Sequence, residues 1–238
     1  MIPYIIINGT SSKSINGLLI QSLPPISKPK MRTSIETVDG RDGDIVTPLG
    51  FSAYDKQVKI GLHGDYNVDD VLAFFNSSGT VIFSNEIDKY YNFAIYEQID
   101  LAKLIRFKTA TVTFHVQPFK YSEEEAEVTY TYTDVQSASI NVRNNGNIYS
   151  KPTLTITGSG NISVALGNTQ ILQIDLDAGG ETIIINVEEM NAYDEDGNYL
   201  NRLVTGNYDN LVFSVGLNTL NITGAITEVK VNNYSRWI

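Results

Sequence analysis

Glu36-Thr-Val-Asp-Gly-Arg-Asp-Gly-Asp44 is the segment around which the first half of the chain is organised. Gly40 and Gly43 bracket Arg41 and Asp42, and Asp-Gly tolerates the positive φ of a tight turn. Extended apolar sequence precedes it from Met31 to Val38, and another run, Asp55 to His63, follows. In that second run Val58, Ile60 and Leu62, in line with Lys56, alternate with Gln57, Lys59 and Gly61, the period of a half-buried strand. The spacing predicts a strand–turn–strand corner.

Towards the N-terminus, Tyr4 to Ile7 and Ile15 to Gln21 read as strands separated by the turn cluster Gly9-Thr-Ser-Ser12. Pro24, Pro25 and Pro29 then impose a stiff extended loop. Lys28, Lys30 and Arg32 lie there, three cations with no aromatic interleaved, which reads as a solvated loop and not a phosphate grip. In the other direction the sequence predicts one helix. Asn67 suits the N-cap, Asp69 and Asp70 fall in the first turn, Val68, Val71, Leu72 and Phe75 form a stripe, and Gly79 ends it. Such a helix covers a sheet. Thr80 to Ser84, Asn92 to Glu97 and Arg106 to Pro118 read as further strands, the last closed by its proline. Lys89 to Tyr96 is rich in residues favoured in sheets. Asp100 to Ile105, with Leu101, Leu104 and Ile105 on one side, fits either a helical turn or a long hairpin.

Beyond the acidic border Tyr121 to Glu127, Ala126, Val128, Tyr130 and Tyr132 alternate, so the connection is itself strand-like. Short β-rich runs then follow: Ser139–Val142, Thr153–Ile156, Ile162–Leu166, Gln170–Ile174, Thr182–Val187, Leu211–Val215, Thr219–Ile222 and Ile226–Val231. Turn signals separate them, among them Asn144-Asn-Gly146, Gly158-Ser-Gly160, Ala178-Gly-Gly180, Asp196-Gly197 and Gly224. Many short strands without helical periodicity predict a β-sandwich.

Composition narrows the chemistry. Hydrophobic residues make up 42% of the 238 and charged ones 18%, which fits a chain with real cores. The absence of cysteine excludes a disulfide framework, a thiolate metal site and a cysteine nucleophile. The apolar start Met1 to Ile7 is too short and unflanked for a signal peptide, and no run approaches a membrane span, so the expectation is cytoplasmic synthesis without secretory export. The net charge of −10 is unevenly spread: residues 1–120 carry 12 basic and 12 acidic side chains, so all of it falls on residues 121–238. A neutral half suits packing against copies, and an acidic half suits exposure.

His63 and His115 are the only histidines, too few for a multi-histidine metal site. His115 is expected at the surface or an interface. Asp175 and Asp177 share a strand face while Glu188 and Glu189 point opposite ways, which reads as solvated edge protection and not a glycosidase pair. Asp194-Glu-Asp-Gly-Asn198 lacks the ligand spacing of a calcium loop and reads as a hairpin turn. We therefore expect no enzyme activity, and no catalytic, cofactor or metal site. Saccharide binding by the second half is the rival function, with Tyr193, Tyr199, Tyr208, Tyr234 and Trp237 as stacking candidates; Trp237, next to the chain end, also suits a packed anchor.

Taken in order, Asp39-Gly-Arg-Asp-Gly43, the short helix and Phe114-His-Val-Gln-Pro-Phe-Lys-Tyr121 resemble the N-terminal domain of the distal tail proteins of siphophages, the Dit family. Asn145-Gly-Asn147 before Ser150-Lys-Pro152, then Thr155 to Gly160, Leu217-Asn218 before Gly224, and the closing Arg236-Trp237 resemble its C-terminal domain. No one of these motifs is specific; their order over nearly the whole chain carries the resemblance. It implies a mainly β protein: a β-sandwich or split-barrel belt domain with one covering helix over residues 1–130, then a galectin-like, carbohydrate-module-like β-sandwich over 131–238. It further implies a virion structural protein whose belt domains close a hexameric ring, the hub of the distal tail or baseplate. The implied partners are the tail tube protein, a tail-associated lysin or tip protein, and a receptor-binding protein. Assembly in the host cytoplasm, no membrane insertion, and a lumen that passes DNA without specific binding belong to the same expectation. The alternative is a host-saccharide-binding module of the adsorption device.

Overall fold

The computed structural model describes residues 2–75 and 78–238. The chain divides into two compact units, Met1–Glu123 with Ile238, and Glu124–Trp237. In the first, the strands are β1 (Ile5–Ile7), β2 (Thr10–Ser11), β3 (Leu18–Ser22), β4 (Met31–Thr37), β5 (Asp44–Phe51), β6 (Tyr54–Leu62), β7 (Ser78–Phe83), β8 (Lys89–Ala94) and β9 (Thr109–Ser122). Helix α1 (Val68–Phe75) follows β6, and α2 (Leu101–Phe107) follows β8. The main sheet runs β2-β1-β7-β8-β9-β6-β3, and β4 with β5 forms a sheet of its own.

The alternation of β6 places Val58, Ile60 and Leu62 in the core, as expected. Phe114 lies at the centre of that core, fully buried, with its ring 5.2 Å from Phe93, 5.8 Å from Phe83 and 6.3 Å from Phe75.

Three details depart from the sequence reading. Helix α1 starts as its cap requires, Asn67 Oδ1 accepting the Asp69 N–H at 3.0 Å, but it buries Val71, Phe74 and Phe75 while Val68 and Leu72 are only half-buried. The expected stop, Gly79, is already inside β7. Its φ of +135° and missing Cβ admit the Asn8 side chain, whose Oδ1 would lie 2.1 Å from a Cβ there. Asn8 uses that room to bridge Ser78 O and Thr80 N.

The second lies at the start of the strand expected from Arg106, where α2 settles the open choice at Asp100 in favour of the helical turn. The Asp100 side chain caps it by accepting the Lys103 N–H at 2.9 Å, and Lys108 ends it at φ +56°. Leu104 is buried and Ile105 exposed; the side chain of Leu101 lies outside the described residues. The strand expected from Arg106 therefore begins at Thr109. Third, it continues past Pro118. Pro118 falls where β8 and β9 shift register between Tyr91↔Lys120 and Phe93↔Val116, a place in the β8–β9 ladder that tolerates its absent N–H.

The second unit contains β10 (Val128–Asn144), β11 (Thr153–Leu166), β12 (Thr169–Asn186), β13 (Asn191–Tyr193), β14 (Val204–Gly206) and β15 (Gly216–Asn232), in the order β10-β15-β11-β12-β13 with β14 against β12. Here pairs of expected short strands merge into long bent ones. Thr153–Ile156 and Ile162–Leu166 are both β11; Thr219–Ile222 and Ile226–Val231 are both β15. Gly158-Ser-Gly160 and Gly224 are thus not turns between strands but positions where the ladder shifts register. The apolar faces on either side of these bends join one core that includes Ile156, Val164, Leu172, Ile183 and Val229. The mainly β class read from the sequence is borne out.

One glycine in this unit has a steric function open to direct test. A Cβ on Gly146 would lie 2.1 Å from the backbone oxygen of Arg236, an atom with no rotamer to escape into. Gly146→Ala is expected to cost about 1–3 kcal/mol, read as a lower thermal unfolding midpoint; an unchanged midpoint would show that the Arg236 backbone is free to move aside.

Candidate assembly surface

The residues read first form a ribbon that no third strand joins among the described residues, and the strand after its turn is β5, not the Asp55 run that the sequence suggested. β4 and β5 pair antiparallel with Ile35↔Val46 and Thr37↔Asp44 in register. Between them Gly40 and Gly43 adopt φ +80° and +75°, and Arg41 N–H donates to Val38 O at 3.1 Å. Thr33, Ile35, Thr37, Ile45, Val46 and Thr47 supply the β-branched content that favours extended backbone. Where Met31↔Phe51 and Thr33↔Pro48 imply an extra residue on β5, Gly50 takes φ +97° and Arg32 Nη2 donates across to Leu49 O at 3.2 Å.

Cross-strand partners share a face. One face of the ribbon carries Met31, Thr33, Ile35, Val46 and Pro48, with Thr37 and Asp44 at its turn end; the other carries Arg32, Ser34, Glu36, Ile45 and Thr47. Ile35 is 61% exposed and Val46 56%, and Met31, Val38 and Leu49 are exposed as well. An isolated two-stranded ribbon is marginal in water, and contiguous exposed apolar surface of this kind marks an interaction site. A second surface of this unit is a cleft of about 690 Å³ where Leu72, Phe75, Ile95 and Ile99 line it together with Glu97 and Gln98, and Tyr96 projects at 76% exposure.

The other sequence candidates are engaged in local structure. His115 is half-exposed and its Nδ1 lies 2.7 Å from Asp55 Oδ1, its cross-strand partner. Lys28, Lys30 and Arg32 are all exposed. Asp175 and Asp177 are exposed on β12, Glu188 accepts from Arg236 Nη1 at 3.2 Å, and Glu189 accepts from the Tyr193 hydroxyl. Tyr193 and Tyr199 come together with ring centroids 5.2 Å apart. Among those residues no group of three or more His, Cys, Asp and Glu is placed to hold a metal ion.

Asp194 organises the turn that superficially looks like a calcium loop. Its Oδ2 accepts from Asn198 Nδ2 and its Oδ1 from Asn198 N–H, both at 2.8 Å, and Oδ1 also accepts Asp196 N–H at 3.0 Å. These bonds, that of the Asn198 side chain first, hold the carboxyl below the ordinary aspartate range. A depressed folded value contributes stability above the unfolded value of about 3.9 that is lost as pH falls through the folded one. Carboxyl NMR titration is expected to place Asp194 below a free aspartate; an ordinary value would mean that the turn is open in solution.

No family model matches the sequence, and no curated protein matches it. Solved structures do. The chain is similar to the Dit protein of phage SPP1, described as a paradigm of hub adsorption apparatus in phages infecting Gram-positive bacteria, with a TM-score of 0.65 at 19% identity over 98% of this chain and 99% of that one. It is also similar to a chain of the phage P2 baseplate in its activated conformation with Ca, with a TM-score of 0.52 at 10% identity, covering 97% of each. The fold is that of Dit and baseplate proteins, as the resemblance implied.

Proposed function

We propose that this chain is a structural subunit that closes a ring with copies of itself, six in number, and serves as the hub at the distal end of a siphophage tail. The observation that carries the proposal is the ribbon: a two-sided strand pair whose apolar face, centred on Ile35 and Val46, is left uncovered within one copy. The likeness to the SPP1 Dit hub protein and the P2 baseplate supports the same reading, although fold alone does not fix function. A head-to-tail contact joins two different patches and closes a ring when the rotation allows. The ribbon face and the cleft beside Tyr96 are two such patches on the first unit. In this proposal residues 1–130 make the ring and residues 131–238 are peripheral, in keeping with 12 basic against 12 acidic side chains before residue 121 and a whole-chain charge of −10. The tail tube, a tip or lysin protein and a receptor-binding protein are the proposed neighbours in the virion, and DNA passes through the lumen without specific contacts. Native mass measurement of the purified chain tests this. Particles of six 26.4 kDa chains are expected; single chains at every concentration count against it.

A further inference from the structure

The root of the ribbon contains a group that the core alone does not require. On β6 the core face carries Val58, Ile60 and Leu62, and the next position on that face is Lys56, only 3% exposed. A buried ammonium is costly unless it is hydrogen-bonded, so its acceptor is informative. Lys56 Nζ donates to Pro25 O at 3.0 Å and lies over the rings of Tyr91 at 4.9 Å and Tyr54 at 5.5 Å. The neighbouring carboxylate, Glu86, is taken up by others: Lys120 Nζ reaches its Oε1 at 2.8 Å and Tyr91 Oη its Oε2 at 3.0 Å. Lys120 is thus the cation paired with Glu86, and the bond of Lys56 goes out to the chain entering the ribbon. Burial pulls Lys56 below the ordinary lysine range, Glu86 opposes that, and Lys120 adds to it.

Pro24 and Pro29 of the segment it grips are buried, so packing holds it as well, but its hydrogen bonding is restricted. Pro24, Pro25 and Pro29 lack an N–H, so at those positions the backbone can be held only through carbonyls. Three side chains from elsewhere in the unit do so: Asn85 Nδ2 to Pro24 O at 3.1 Å, Lys56 Nζ to Pro25 O at 3.0 Å, and Tyr54 Oη to Ser27 O at 3.3 Å. On the returning side Ser52 N–H donates to Lys30 O at 2.8 Å, and the Phe51 ring meets Phe119 edge-on at 5.5 Å. A ribbon that belongs to no larger sheet has its direction set at this root.

We propose that Lys56, backed by Glu86 and Lys120, is a positioning residue: with Asn85 it clasps the Pro24–Pro25 carbonyls and so fixes the direction in which the β4–β5 ribbon leaves the first unit. The clasp presents the apolar face at one angle before any neighbour arrives, which favours ring closure over open-ended addition. This consequence rests on the ring reading; the clasp itself does not.

The test uses the full chain, whose lack of cysteine permits site-specific labelling. Nitroxides are placed through Arg41→Cys at the ribbon turn and Lys59→Cys on the exposed face of β6, in an Ile35→Glu background to keep copies apart. Pulsed EPR then reads the distance distribution between them. Lys56→Met and, separately, Asn85→Ala are expected to broaden that distribution about twofold. Asn85 is exposed, so its variant decides the matter if Lys56→Met fails to fold. An unchanged width in the folded variants overturns the clasp, because a lysine that merely closed the core would affect stability and not direction. Single chains on native mass together with a broadened ribbon would sink the ring while leaving the clasp standing; intact rings with an unchanged width would do the reverse.

Discussion

Ile35→Glu is expected to convert assembled particles into single chains while both units remain folded. Ile35 lies beside Val46 in the middle of the apolar face, and the two are 61% and 56% exposed in one copy. A glutamate there stays solvated in the isolated chain, so folding loses little. Once a neighbour covers the face, the carboxylate must be buried without a partner, a cost of about 3 kcal/mol or more per contact, or roughly a hundredfold in affinity at each interface of the ring. Native mass and sedimentation read the assembly, and far-UV circular dichroism the fold. The control is Thr47→Glu on the opposite face, where the same charge is expected to leave the particles intact. Equal disruption by both variants would show that the effect is general charge repulsion and not coverage of one face.

The largest expected loss of stability is at Phe114. Its ring is fully buried and meets Phe75, Phe83 and Phe93, so one residue ties α1, β7 and β8 to β9. Phe114→Ala removes the transfer free energy of the ring and leaves a cavity that four separate elements cannot collapse into. About 3–5 kcal/mol is expected, with the edge-to-face contacts at the upper end of that range. The second unit has its own core, so the loss is expected in the unfolding of the first unit alone. Denaturant titration with a probe in each unit checks this, and a loss under about 1 kcal/mol would show that the site repacks.

What could be read from the sequence follows from how local each signal is. The Asp39-Gly-Arg-Asp-Gly43 turn and the alternation of β6 are set by neighbours in sequence and stand as read, but the strand that follows the turn is β5 and not the Asp55 run, which pairs with β3 and β9 instead. The bends of the second unit were misread for a physical reason. Gly158 and Gly224 look like turn residues, yet each allows another strand to approach: a Cβ on Gly158 would lie 2.4 Å from Ala225 O, and one on Gly224 2.6 Å from Asn161 O. Nothing in a single sequence separates a glycine that ends a strand from one that bends it. Helix α2 did leave a signal, an Asp at the N-cap, but its seven residues give an apolar pattern too short to outweigh a hairpin.

The ribbon was only half visible. Its turn is plain, but β5, with Pro48 and Gly50 inside it, does not read as a strand, and that no third strand joins the pair among the described residues is a property of the whole sheet order. Lys56 reads simply as one more position in line with an apolar row, and its meaning requires the carbonyl of Pro25, 31 residues away. The halves of the charge distribution were legible from counting alone.

The central claim is that the exposed face of the β4–β5 ribbon is covered by another copy of the chain. An electron cryo-microscopy map of the assembled chain tests it most directly. Side-chain density for Ile35 and Val46 packed against a neighbouring copy around a rotation axis is the expected result. A map in which those two side chains face solvent, with copies joined through some other surface, would contradict it.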